Sequence, residues 1–180
     1  MENFDSIQWE TASAQGAIVG QDFLTWLWYA SEQHNGLFAG PSAQDFFLYL
    51  EQRISVVGGE GDTLDRTVVS GRMSELSDAR HGLKKGKKVN QALVRIEMDQ
   101  NVWQFQLKAE DFTFTSLKTP KIQTKAEEGD DPDAIFLEKA YLVEKSMELL
   151  DHLFVKFVTL RTGPDWDEEE ARVRKWVMEE

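Results

Sequence analysis

Between Asp45 and Val57 apolar and polar residues alternate, with Phe46, Leu48, Leu50, Ile54 and Val56 on one side and Glu51, Arg53 and Ser55 on the other. A period of two predicts a strand with one solvated face. The Gly58-Gly59-Glu60-Gly61-Asp62 run that follows predicts a turn, and Thr67-Val68-Val69 a short return strand. Three further strands are predicted at Val89 to Met98, Val102 to Lys108 and Asp111 to Leu117. Trp103, Phe105 and Leu107 share a face in the second, and Phe112 and Phe114 in the third.

Helical patterns flank this strand region. The run Gln21 to Ala30 (Gln-Asp-Phe-Leu-Thr-Trp-Leu-Trp-Tyr-Ala) is apolar nearly all round, with acidic Asp22 in its first turn and Asn35-Gly36 as a stop signal. A helix of that kind is sandwiched between other elements. Ser74 to Lys85 predicts a short helix with Leu76, Ala79 and Leu83 on one face and a basic end before Gly86. From Ala134 to about Arg161, Phe136, Ala140, Val143, Met147, Leu150, Phe154 and Phe157 recur at spacings of four and three, widened by Leu142, Leu149, Leu153 and Leu160. That helix would be about 40 Å long and span a small domain. A last helix, Asp167 to Met178, has acids at its start and Arg172, Arg174 and Lys175 toward its end.

The first 19 residues match neither period and read as an arm. Residues 20–180 read as one domain, with a mobile acidic linker over 120–133. The expected fold is therefore α+β: an antiparallel sheet of about five strands packed against an N-terminal Trp-rich helix and a long C-terminal helix. A chain of 180 residues with 41% hydrophobic content, six Trp and eleven Phe can bury such a core without staples.

With no cysteine in the chain, disulfides, thiolate catalysis and cysteine-ligated metals are excluded. His34, His81 and His152 have no partner at ligand spacing, there is no Gly-x-Ser-x-Gly elbow, and Gly86-Lys87 lacks the first glycine and the final hydroxyl of a phosphate loop. No catalytic residue, cofactor or metal is assigned. The acids Glu127, Glu128, Asp130, Asp131 and Asp133 read as a solvated linker. The start of the chain, Met1-Glu2-Asn3-Phe4-Asp5, is not a leader, and the densest apolar stretch, Phe23 to Ala30, is far short of the roughly 20 residues of a membrane span. A cytoplasmic or nucleoid-associated protein without membrane contact is expected.

The formal net charge of −12 argues against a basic binder of nucleic acid as a whole. Its distribution alters that. Residues 1–60 hold eight acids and one base, 61–126 eight acids and twelve bases, and 127–180 sixteen acids and seven bases, giving −7, +4 and −9. Within the middle segment Arg80, Lys84, Lys85, Lys87 and Lys88 fall within nine positions. Such a cluster of flexible cations suits phosphate contact; it also suits a helix C-terminus and pairing with the chain's own acids.

Val68-Val69-Ser70-Gly71-Arg72-Met73-Ser74-Glu75-Leu76, Leu83-Lys84-Lys85-Gly86-Lys87-Lys88-Val89, Phe105-Gln106-Leu107, Leu117-Lys118 and the late helix with Leu149, Leu150 and Leu153 resemble the C-terminal part of the recombination-associated protein RdgC family. Phe23-Leu24-Thr25-Trp26-Leu27-Trp28-Tyr29 resembles a divergent, shorter branch of it. The resemblance covers roughly residues 68–160. It implies an α+β domain of a family that binds double-stranded DNA without sequence preference as a ring-shaped homodimer and restrains recombinase filaments. The members have also been labelled exonucleases, an activity for which this sequence offers no site. Where longer members carry Lys-Lys-Gln-Asp-Leu facing DNA, this chain has Arg72-Met73-Ser74-Glu75-Leu76, keeping one of the two cations. The expected DNA-binding residues are Arg72, Arg80, Lys84, Lys85, Lys87 and Lys88, and the expected partners are double-stranded DNA and a second copy of the chain. The alternative is a protein-interaction module that self-associates or docks a partner through its apolar helices.

Overall fold

The computed structural model describes residues 4–41, 43–58, 65–70, 76–121 and 131–179. In chain order the elements are α1 (Phe4–Gln33), β1 (Leu37–Ala39), β2 (Asp45–Gly58), β3 (Asp65–Ser70), α2 (Leu76–Lys84), β4 (Lys88–Met98), β5 (Asn101–Lys108), β6 (Phe114–Lys118), α3 (Pro132–Thr162) and α4 (Trp166–Met178). The class is α+β, with a six-stranded sheet antiparallel throughout, in the order β1-β2-β4-β5-β6. The long strand β2 pairs with β1 at its start and with β3 at its end, so both share the edge opposite β4. The return strand expected from Thr67 to Val69 is this β3. The sixth strand is the three-residue β1, too short to show a period.

The alternation expected in β2 and β5 sets the core face. Phe46, Leu48, Leu50, Ile54 and Val56 of β2 are buried together with Val94 and Ile96 of β4 and Trp103, Phe105 and Leu107 of β5. Register shifts between Glu51 and Ile54 and between Ser55 and Val56 mark irregular pairing with β4. Beside that irregularity Ser55, expected on the wet side, is buried. Phe112, expected in a strand, lies ahead of β6 with φ +54° and packs half-buried beside Phe154, ring centroids 4.8 Å apart.

α1 lies between the sheet and the two C-terminal helices. Phe23, Leu24, Trp26, Leu27, Trp28, Tyr29 and Ala30 are all buried, as an all-round apolar helix requires. Its approach is close: a Cβ on Gly20 would stand 1.8 Å from the carbonyl oxygen of Ala109, so only glycine fits this crossing. The helix begins at Phe4 and not at Gly20, so most of the segment read as an arm is helical; residues 4–19 lack an amphipathic repeat but contain good helix formers such as Ala, Gln and Glu.

α3 starts on Asp131, whose carboxylate accepts from the Asp133 backbone N–H at 3.0 Å, with Pro132 in the first turn. These two acids of the expected linker thus start a helix; residues 122–130 of that linker lie outside the described part. The apolar stripe expected along α3 divides. Leu149, Leu150, Leu153 and Phe157 are buried, and so are Leu142 and Ser146, whereas Phe136, Val143 and Met147 face solvent. Trp103 anchors the middle of the helix by donating its indole N–H to the Leu142 carbonyl at 2.8 Å. Among the described residues no helix is long and apolar enough to cross a membrane.

A basic turn and the cleft beside it

α2 buries Ala79, Gly82 and Leu83 against the sheet. Gly82 sits so close to β2 that a Cβ there would meet the Val56 side chain at 2.7 Å. The helix ends by two reversed bonds, from the Gly86 N–H to Leu83 O at 2.9 Å and from the Lys87 N–H to Gly82 O at 3.1 Å, with Gly86 at φ +83°. This is a Schellman cap, which needs a residue without Cβ strain at the left-handed position. Gly86-Lys87 therefore completes a helix end instead of a phosphate loop. The cap turns the chain straight into β4 and brings Lys84, Lys85, Lys87 and Lys88 together.

These lysines are not equivalent. Lys85 is exposed, and Lys84 and Lys87 are half-buried. The Lys87 stem runs over two glycines: a Cβ on Gly58 would lie 2.8 Å from its Cγ, and one on Gly82 3.4 Å from its Cδ. Lys88 Nζ donates to Asp22 of α1, which also accepts from Arg161 of α3 at 3.0 Å. The same corner is tied by the Val89 N–H donating to Thr25 Oγ1 at 3.2 Å and by Gln21 donating to Asn90 at 3.3 Å. Lys88 thus fastens β4 to α1.

Arg80 is also committed. Its guanidinium donates to Glu32 and lies over the Trp176 ring, 4.8 Å from the centroid. Glu32 accepts in addition from the indoles of Trp28 at 2.8 Å and Trp176 at 2.9 Å, so one carboxylate joins α1, α2 and α4. Arg72 lies outside the described residues. Of the six residues expected to meet DNA, the structure gathers Lys84, Lys85 and Lys87 at one turn, places Lys88 beside them in an ion pair, and uses Arg80 to hold helices together.

Two cations not anticipated from sequence join the lysines. Arg161 and Arg174 line, with Lys84, Lys87 and Lys88, a cleft of about 530 Å³ between α1, the end of α2 and α4. Among the described residues Asp22 and Glu170 are the acids of its lining, so five cations against two acids leave these residues a formal +3 in a chain of −12. No local pattern announces this assembly, because Arg161 and Asp22 are 139 positions apart.

The opposite face of the sheet carries cations that are already paired. Arg95 meets Glu51 at 3.2 Å and Glu97 at 2.6 Å; the Glu51 hydrogen bond first, against some desolvation, raises its pKa above the ordinary arginine value. Glu51 also accepts from Gln104 at 2.6 Å, and Lys118 donates to Gln104 at 3.3 Å. The histidines stand apart: His152 Nε2 lies 3.0 Å from Ala39 O, His34 meets Phe38 edge-on, and His81 is exposed on α2. Among the described residues no group of three or more His, Asp or Glu is placed to hold a metal. Comparison with protein-family models, with curated proteins and with solved structures finds no match to this chain.

Proposed function

We propose that the chain is a non-enzymatic, DNA-associated protein that contacts duplex phosphates without sequence preference through Lys84, Lys85 and Lys87. The observation that carries this reading is the α2 cap, which gathers these lysines at one turn beside a cleft lining of formal +3. The resemblance to the RdgC family supports it and is the source of the suggested link to recombination. Of the six cations expected, Arg80 and Lys88 are engaged by Glu32 and Asp22, and Arg72 lies outside the described residues. With about three phosphates neutralised, log affinity falls with log salt at a slope near −2.7, a loss of roughly 40-fold between 50 and 200 mM; six contacts would double that slope. Fluorescence anisotropy with a short labelled duplex measures it. Reversing Lys84, Lys85 and Lys87 to Glu should abolish binding. No binding of the unmodified protein at about 50 mM salt overturns the reading.

A second reading, protein docking or self-association, is favoured by one specific observation. Phe136 is 67% exposed, Leu137 64%, Tyr141 59% and Met147 52%, all on the first five turns of α3. Clustered large apolar side chains of this kind mark interaction surfaces. Light scattering across a concentration series is expected to show a dimer that Phe136→Asp with Met147→Asp converts to monomer. A monomer at every concentration removes self-association.

A further inference from the structure

The start of α3 has no cover of its own. From Asp133 to Tyr141 no side chain is buried, and Leu142 is the first that is. A helical segment of that length is marginal in water unless something packs on it. Along one side Phe136, Ala140, Val143 and Met147 are all exposed, at spacings of four, three and four. This is the alternation of d and a positions in a heptad, with Phe136 and Val143 at d and Ala140 and Met147 at a. The seam is bounded at both ends. The a position before it holds Asp133, and the d position after it is Leu150, buried in the chain's own core.

The charges beside this seam select what can lie on it. In the same register Lys139 falls at g and Glu144, five positions later, at e, and both are exposed. Lys145 and Glu148, at the outer positions f and b, pair instead within the helix at 2.7 Å. Two parallel heptad helices bring g of one against the following e of the other, whereas two antiparallel ones bring g against g and e against e. A parallel pair of α3 helices therefore sets Lys139 against Glu144 twice, by symmetry. An antiparallel pair lines Glu144 and Asp151 of both copies along one flank, like against like.

We propose that the exposed start of α3 pairs with the same segment of a second copy as a short parallel coiled coil, with Phe136, Ala140, Val143 and Met147 in the seam and Lys139 of each copy against Glu144 of the other. This rests on the self-association reading above and adds to it the orientation and the register. Four layers span about 18 Å and bury less than a standard interface, so the dissociation constant is on the order of 10–100 μM.

Because the chain has no cysteine, a single introduced thiol reports on one position only. Asp133→Cys lies at the a position before Phe136 and leaves the seam intact. In a parallel pair the two thiols are neighbours, within the roughly 4.4–6.8 Å between Cα atoms that a disulfide spans; in an antiparallel pair centred on the same seam they are about 25 Å apart. In a glutathione redox buffer with the full chain at about 100 μM, Asp133→Cys should form at least about fivefold more covalent dimer than Glu148→Cys, whose thiol sits on the outer face. In sedimentation velocity, Lys139→Glu and Glu144→Lys should each weaken the dimer about fivefold or more. The two together in one chain exchange the charges and should restore it to within about twofold of the unmodified protein. All of these positions are exposed, and circular dichroism confirms that each variant is folded. Suppose instead that the protein forms a dimer that Phe136→Asp with Met147→Asp dissolves, but Asp133→Cys cross-links no better than Glu148→Cys or the charge exchange fails to restore pairing. That result overturns the parallel coiled coil and leaves self-association standing. A monomer up to about 1 mM overturns both.

Discussion

Glu32 takes donors from three helices: the indole of Trp28 in its own helix, the indole of Trp176 in α4, and the Arg80 guanidinium in α2. Both indoles are buried, and their rings meet edge to face with centroids 5.3 Å apart. Glu32→Ala leaves two buried N–H groups without their acceptor, which should cost about 2 kcal/mol. For a chain of this length that is a fall in Tm of about 4–8 °C in a thermal melt, with Glu32→Gln losing less because it retains one carbonyl acceptor. A single residue of this kind is hard to read in a sequence. Glu32 follows an apolar run and is indistinguishable there from any exposed acid, since two of its three partners lie 48 and 144 positions away. Arg80 shows the converse: its place in a cationic cluster suggested a free charge, and only the fold shows it spent on a carboxylate and a ring.

At the scale of elements, the features that can be read locally are those made locally. The Schellman end of α2 was legible because Leu83, Gly86 and the intervening lysines are consecutive, and alternation in β2 and β5 identified the core face because burial repeats every second residue. Gly86→Ala isolates the cap. Nothing lies within 4 Å of the added Cβ, so the cost is the left-handed φ of +83° alone, about 1 kcal/mol in a urea titration. The same variant should weaken duplex binding as well, since the cap places Lys87. In α3 the pattern misled for a physical reason. Spacings of four and three place Phe136, Ala140, Val143 and Met147 in line with Leu150 and Phe154, but the helix outruns the body that covers it, and periodicity carries no information on where a covering layer stops.

The described residues form a one-sided assembly: a sheet with an apolar face under α1 and the C-terminal helices, and an opposite face on which the Arg95, Glu51 and Glu97 group lies among exposed Phe47, Tyr49 and Val102. Its acidic N-terminal part and basic middle are folded onto one another at Asp22 and Glu32, which is why the summed charge of −12 was a poor guide to any single surface. Near one such contact Tyr29 is buried under α4, and burial first, then the Glu169 carboxylate, against Arg172, raises its phenol above the ordinary value near 10. A group whose folded pKa is raised contributes fully below the unfolded value and loses that contribution as pH climbs through the folded one. Stability should therefore hold to about pH 10 and fall above it, and Tyr29→Phe should flatten that alkaline slope in denaturant titrations at stepped pH.

The docking of α1 also orders events in time. Gly20 rests against Ala109, Thr25 accepts from Val89, Trp26 donates to Glu169 and Trp28 faces Trp176, and each of these four partners lies 64 or more positions downstream. At a synthesis rate of about 5–20 residues per second, α1 leaves the ribosome several seconds before β4 and β5 can receive it, and longer before α4 can close over it. For that interval its seven consecutive-turn core residues have no sheet to lie on. The stretch that contributes most to the finished core is, during synthesis, the stretch most in need of a chaperone.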